Sequence, residues 1–151
     1  MLRQQISDAL KTAMKAKDAS STSTLRLILA ALKDRDIAAR GKGNSDGIND
    51  DELLGLLQSM IKQRRESIVM YEKGGRMELA QQEAGEIAII ENFLPAQMSD
   101  EELTEAVSSV IAEVGATSIK EMGKVMGALK QQYAGQMDFS KAGAEVKNRL
   151  G

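Results

Sequence analysis

The chain contains no cysteine, no histidine and no tryptophan in its 151 residues, and only one proline. The missing cysteine and histidine exclude disulfides, a thiolate nucleophile, a zinc cage and an imidazole base. A reducing cytoplasm suits such a composition, and a cytoplasmic protein is the expectation. Two Tyr and two Phe are too few to build an aromatic core, which therefore falls to Leu, Ile, Val, Ala and nine Met. Those residues, with proline almost absent, favour helices over sheets. No apolar run reaches the roughly 20 residues that cross a bilayer, so no membrane partner is expected.

What is present divides unevenly. Residues 1–94 carry 14 basic and 14 acidic side chains, residues 95–116 five acids and no base, and residues 117–151 six bases and three acids. The last stretch is therefore modestly basic, below the charge density of a strong nucleic-acid binder. The opening "MLRQQISDALKTAMKAK" has helical spacing and reads as a first helix. A basic amphipathic presequence is the alternative, opposed by Asp8.

Helix punctuation runs through the chain. A second helix is expected after "DASSTST", with Leu25, Ile28, Leu29, Leu32 and Ile37 on its inner face and Gly41 at its end. Asn49 and Glu52 form a capping box for a third helix that stops at Gly74 and Gly75, and a fourth runs from about Arg76 to Phe93. Pro95 breaks the pattern. Ser99 with Glu102, and Ser118 with Glu121, read as further capping boxes, Gly115 as a helix stop, and Asp138 as the cap of a last helix. The expected fold is all-α, with an N-terminal helical domain over residues 1–94 and a small C-terminal three-helix bundle over residues 95–151.

Several stretches invite a chemical reading. The hydroxyl run at 20–24 has neither a base nor a glycine-rich oxyanion loop beside it, and reads as a helix cap. "NSDGINDDE" has the composition of a calcium loop without the alternating ligand spacing, and reads as a turn and a cap. Glu83 and Glu86 lack the histidines of a di-iron carboxylate site, so no metal and no cofactor are expected. Lys62, Arg64 and Arg65 in "KQRRES" could hold phosphates, or could pair with Glu66 and Glu72 or with Glu83 and Glu86.

"MGKVMGALK", residues 122–130, places two glycines four apart inside a helix, where each costs roughly 1 kcal/mol relative to alanine. On a helical wheel the apolar face centres between Met122 and Met126, with Gly123, Gly127 and Ala134 forming a bare strip to one side. Lys120, Lys124 and Lys130 border it. Such a strip admits a packed helix, or the phosphate backbone of an RNA.

"MGKVMGALKQQYAGQMDFSKAGAEVKNRL" resembles the C-terminal motif of the GatB/YqeY family. "STLRLILAALKDRDI", "IKQRRES" and "GRMELAQQEAGEIAIIENFLPAQMSDEEL" are similar to its N-terminal pattern, so the resemblance covers nearly the whole chain. It implies an all-helical protein related to the tail of the B subunit of aspartyl/glutamyl-tRNA amidotransferase, a tail that contacts tRNA. The family label of carbon–nitrogen ligase with glutamine as amido donor does not transfer with it, because the resemblance places amidation in a separate amidase subunit and in the kinase-like body of the B subunit, and leaves no part of this chain for either. Gly123, Val125, Met126, Gly127, Gly135 and Asp138 match the motif, while Gln136 stands where the family commonly has Lys or Arg.

The expectation is an accessory protein without covalent chemistry of its own. Its expected partners are tRNA or the amidotransferase and aminoacyl-tRNA machinery. Lys120, Gly123, Lys124, Gly127 and Lys130 would form the contact, and Arg64 with Arg65 a second basic site. A helical protein-interaction module without RNA binding, and an enzyme using Glu83 and Glu86, are the other classes. Oligomeric state is not legible.

Overall fold

The computed structural model describes residues 2–151. Seven helices follow one another: α1 (Leu2–Lys15), α2 (Ala19–Gly41), α3 (Asp50–Lys73), α4 (Met77–Glu91), α5 (Asp100–Val114), α6 (Met122–Gln132) and α7 (Phe139–Leu150). A short 3-10 turn, Ile119–Glu121, precedes α6, and there is no strand among the described residues. The protein is all-α. The chain falls into two compact units, one ending at Leu94 and the other spanning Pro95–Gly151.

In the first unit, α1 to α4 meet on a core that includes Ile6, Leu25, Ile28, Leu53, Leu57 and Ile90. The Asn49–Glu52 capping box starts α3, and Gly75, in the left-handed region at φ 72°, turns the chain into α4. The start of α2 differs from expectation. Asp18 is the N-cap, accepting from the Ser21 N–H at 3.1 Å and the Ser21 hydroxyl at 2.7 Å, so the hydroxyl run lies inside the helix. Those two hydrogen bonds hold the Asp18 carboxyl below its ordinary value. Thr24, one turn on, is buried with its hydroxyl unpartnered among the described residues.

The inner face of α2 also departs from the simple stripe, because Ile37 is 54% exposed and the adjacent Asp36 is buried in its place. The reason is a partner 33 residues away. Arg3 clasps Asp36 with both terminal nitrogens, at 2.5 and 2.6 Å, and also donates to the Ile48 carbonyl at 2.6 Å. The Ile48 N–H completes the carboxylate at 3.0 Å. Gly47, at φ 81°, lets the loop pass so close that a Cβ there would collide with the Asp36 carboxylate. Before it, Asn44 closes an Asx turn: its Oδ1 accepts from the Asp46 N–H and its amide donates to the Gly47 carbonyl. The "NSDGINDDE" loop is thus a turn followed by a cap.

In the second unit, α5, α6 and α7 enclose Val107, Val110, Val125, Leu129, Met137 and Val146. Ser99 and Glu102 form the expected capping box, and Gly115 ends α5 in the left-handed region. The box expected at Ser118 and Glu121 does not form. Glu121 instead accepts from the Thr117 N–H at 3.1 Å, Ser118 makes no side-chain cap, and the 3-10 turn takes the place of the first helical turn. Ile119, in that turn, is 43% exposed. The segment leading into α5 is tied to the α6–α7 turn, since the Met98 N–H donates to the Gln136 carbonyl at 2.8 Å and the Gln97 amide to that of Gly135 at 2.6 Å.

Candidate nucleic-acid interface

The buried positions of α6 are Val125 and Leu129, not the midpoint between Met122 and Met126. At about 100° per residue, that puts Gly127 about 180° and Gly123 about 140° from the centre of the buried edge, on the outer side of the helix. Both glycines are exposed, and a Cβ built on either meets nothing within 4 Å. Of the two occupants the strip admits, no helix of this chain is seated on it among the described residues, since nothing lies within 4 Å of a Cβ at either glycine. Ala134 does not extend the strip either, because α6 ends at Gln132.

The glycine that does lie under neighbouring side chains is Gly143 of α7. A Cβ there would stand 3.7 Å from the terminal methyl of Met122 and 3.9 Å from that of Met126. The two methionines, read from the sequence as the centre of the core face, form its flank and lie over α7.

Lys120, Lys124 and Lys130 are exposed, and none forms an ion pair among the described residues. Lys124 and Lys130 share with the two glycines an arc of roughly 120° on α6. Lys120 stands just before it, in the 3-10 turn. The result is a bare backbone surface rimmed by ammonium groups. Of the nearby cations, Lys141 leans 3.5 Å toward the well-exposed Asp100, an arrangement of little energetic weight. Gln136 contributes its backbone carbonyl to the unit.

The second candidate site, in the other unit, divides. Arg64 is largely enclosed: its Nε lies 3.1 Å from Glu86 and 4.0 Å from Glu83, and its Nη1 donates to the Met60 carbonyl at 3.2 Å. This is the ion-pair arrangement, a clasp between α3 and α4. Burial, and then the charge of Glu86, push the Glu83 carboxyl above its ordinary value against the pull of Arg64. Arg65 is two-thirds exposed and reaches Glu91 at 3.3 Å. The two arginines thus engage different carboxylates and converge on no common point. Among the described residues, no group of three acidic side chains is disposed to hold a metal.

Residues 3–150 match the family described as Yqey-like protein. The chain belongs to the YqeY-like family. Relatives named "Altered inheritance of mitochondria protein 41, mitochondrial" occur in several yeasts. The one from Lachancea thermotolerans is 35% identical over 108 residues, 70% of this chain and 55% of that protein. Those from Kluyveromyces lactis and Eremothecium gossypii are 31% and 34% identical over 91% and 93% of this chain, covering 70% and 76% of their own lengths. The chain thus spans little more than half of the first relative. These names correct the expectation of a cytoplasmic protein, since the relatives are mitochondrial. A composition free of cysteine fits any reducing compartment and does not distinguish among them.

Proposed function

We propose that this YqeY-like protein is a non-catalytic accessory factor that contacts tRNA, or the tRNA-dependent amidation machinery, through the outer face of α6. The relatives' names favour a mitochondrial setting for that role. The observation that carries the reading is the open backbone at Gly123 and Gly127 beside three unpaired lysines. A helix without side chains on its outer line lets a sugar-phosphate backbone come within reach of Lys120, Lys124 and Lys130 together. Arg64 is left out of the contact by its carboxylate partners, and Arg65 stands as an accessory cation.

Retention of tRNA by the full chain across a salt series tests this. Binding should weaken steeply with salt, and replacing the three lysines with Gln should lower the log–log slope by about 2–3. Absence of salt-sensitive binding sinks the reading. The same exposed strip also suits a partner helix. In that case Gly127→Leu abolishes association with the partner while the lysine replacements leave it unchanged.

A further inference from the structure

Between α1 and α2 runs a shallow, open groove of about 470 Å³. Arg3 and Ser7 line it from α1, and Leu29, Lys33, Ile37 and Arg40 from α2. The α2 residues recur at helical spacing, so that cationic and apolar side chains alternate along one wall. Ile37 is more than half exposed there, and Lys33 and Arg40 are exposed without an ion pair among the described residues. The one acid of the lining, Asp36, has both oxygens engaged by Arg3, with the Ile48 N–H as a further donor. Three cations against one already satisfied carboxylate leave the groove positive, with donors available and no strong acceptor free.

We propose that this groove binds a small phosphate monoester carrying a compact apolar body. The phosphate dianion sits with Lys33 and Arg40, and the apolar part covers Ile37, which projects between them on the same wall. Two cationic groups on one wall complement a dianion better than a single negative charge, and the exposed Ile37 gains burial only if the ligand is more than inorganic phosphate. This site lies in the N-terminal unit and stands whichever way the tRNA measurement falls.

The test is an NMR titration of the full chain at low salt with phenyl phosphate, inorganic phosphate and phenol. The expected result is saturable shifts at the groove residues of α1 and α2 with phenyl phosphate, several-fold tighter than with inorganic phosphate and absent with phenol. Lys33→Gln combined with Arg40→Gln should weaken binding about tenfold; both residues are exposed, so the fold is retained. Ile37→Ser should bring phenyl phosphate and inorganic phosphate within about twofold of each other. Unsaturable shifts, shifts elsewhere, equal binding of inorganic phosphate or phenol, or an unaffected double variant would each overturn the proposal.

Discussion

Gly127→Ala separates the stability of α6 from its proposed use. Gly127 sits in the middle of an eleven-residue helix, where glycine costs about 0.8–1 kcal/mol relative to alanine. Its added methyl meets nothing within 4 Å, so no clash subtracts from that gain. For a unit of this size each kcal/mol moves the midpoint by about 4–8 °C, so a rise of roughly 3–8 °C is expected in the transition of the C-terminal unit. Gly123→Ala should give less, because position two of a helix is only partly committed to helical geometry. Calorimetry of the full chain provides the first measurement and tRNA retention the second. Stability should rise with alanine, and affinity should fall progressively from Ala to Leu at position 127 as the backbone is screened. A lower midpoint for Gly127→Ala would refute the open-face geometry. A higher midpoint with affinity unchanged even for Leu would refute its use in binding.

Three further outcomes follow from the N-terminal unit. Asp36→Asn should cost about 2–3 kcal/mol in urea unfolding, because it weakens the Arg3 clasp and the Ile48 hydrogen bond together. The Arg3 hydrogen bonds hold the Asp36 carboxyl below its ordinary 3.8, so its contribution is present above that value and lost as pH falls through the depressed one; the variant should lack this acid-sensitive component. Glu83 has the opposite sign: its raised carboxyl favours the folded state below the ordinary 4.5 and loses that contribution as pH rises through the elevated value. Glu83→Gln should therefore flatten the pH dependence of stability in that window and raise the melting midpoint at neutral pH. Thr24→Val, which replaces a buried unpartnered hydroxyl with a methyl, should stabilise by about 1 kcal/mol in the same urea assay.

The parts of the fold written in local chemistry were legible. Asn49–Glu52 and Ser99–Glu102 are reciprocal hydrogen bonds between residues three apart, and a sequence displays such pairs directly. Ser118–Glu121 has the same spacing but fails, because Glu121 finds the Thr117 N–H and the backbone tightens into a 3-10 turn. Asp36 was missed because its burial depends on Arg3, and nothing at positions 32–37 signals that partner. Within the candidate interface, the spacing of the lysines and glycines sets them on one arc of α6, yet the orientation of that arc to the core was not legible. Met122 and Met126 outweighed Val125 in the apolar pattern, and only the packing of α7 shows which of them is the floor. Arg64 and Arg65 are adjacent in sequence and differ in their partners, a distinction made by the positions of Glu86 and Glu91 on α4.

Met122 and Met126 lying over Gly143 give the α6–α7 contact an unusual texture. Flexible thioether chains resting on bare backbone hold by dispersion and can settle into several rotamers, unlike interlocked branched side chains. The joint on this flank is therefore a cushion of soft side chains, while Val125 and Leu129 anchor the helix beside it. Oxidation of either thioether would set a polar sulfoxide against that bare backbone, and both side chains are partly exposed to an oxidant.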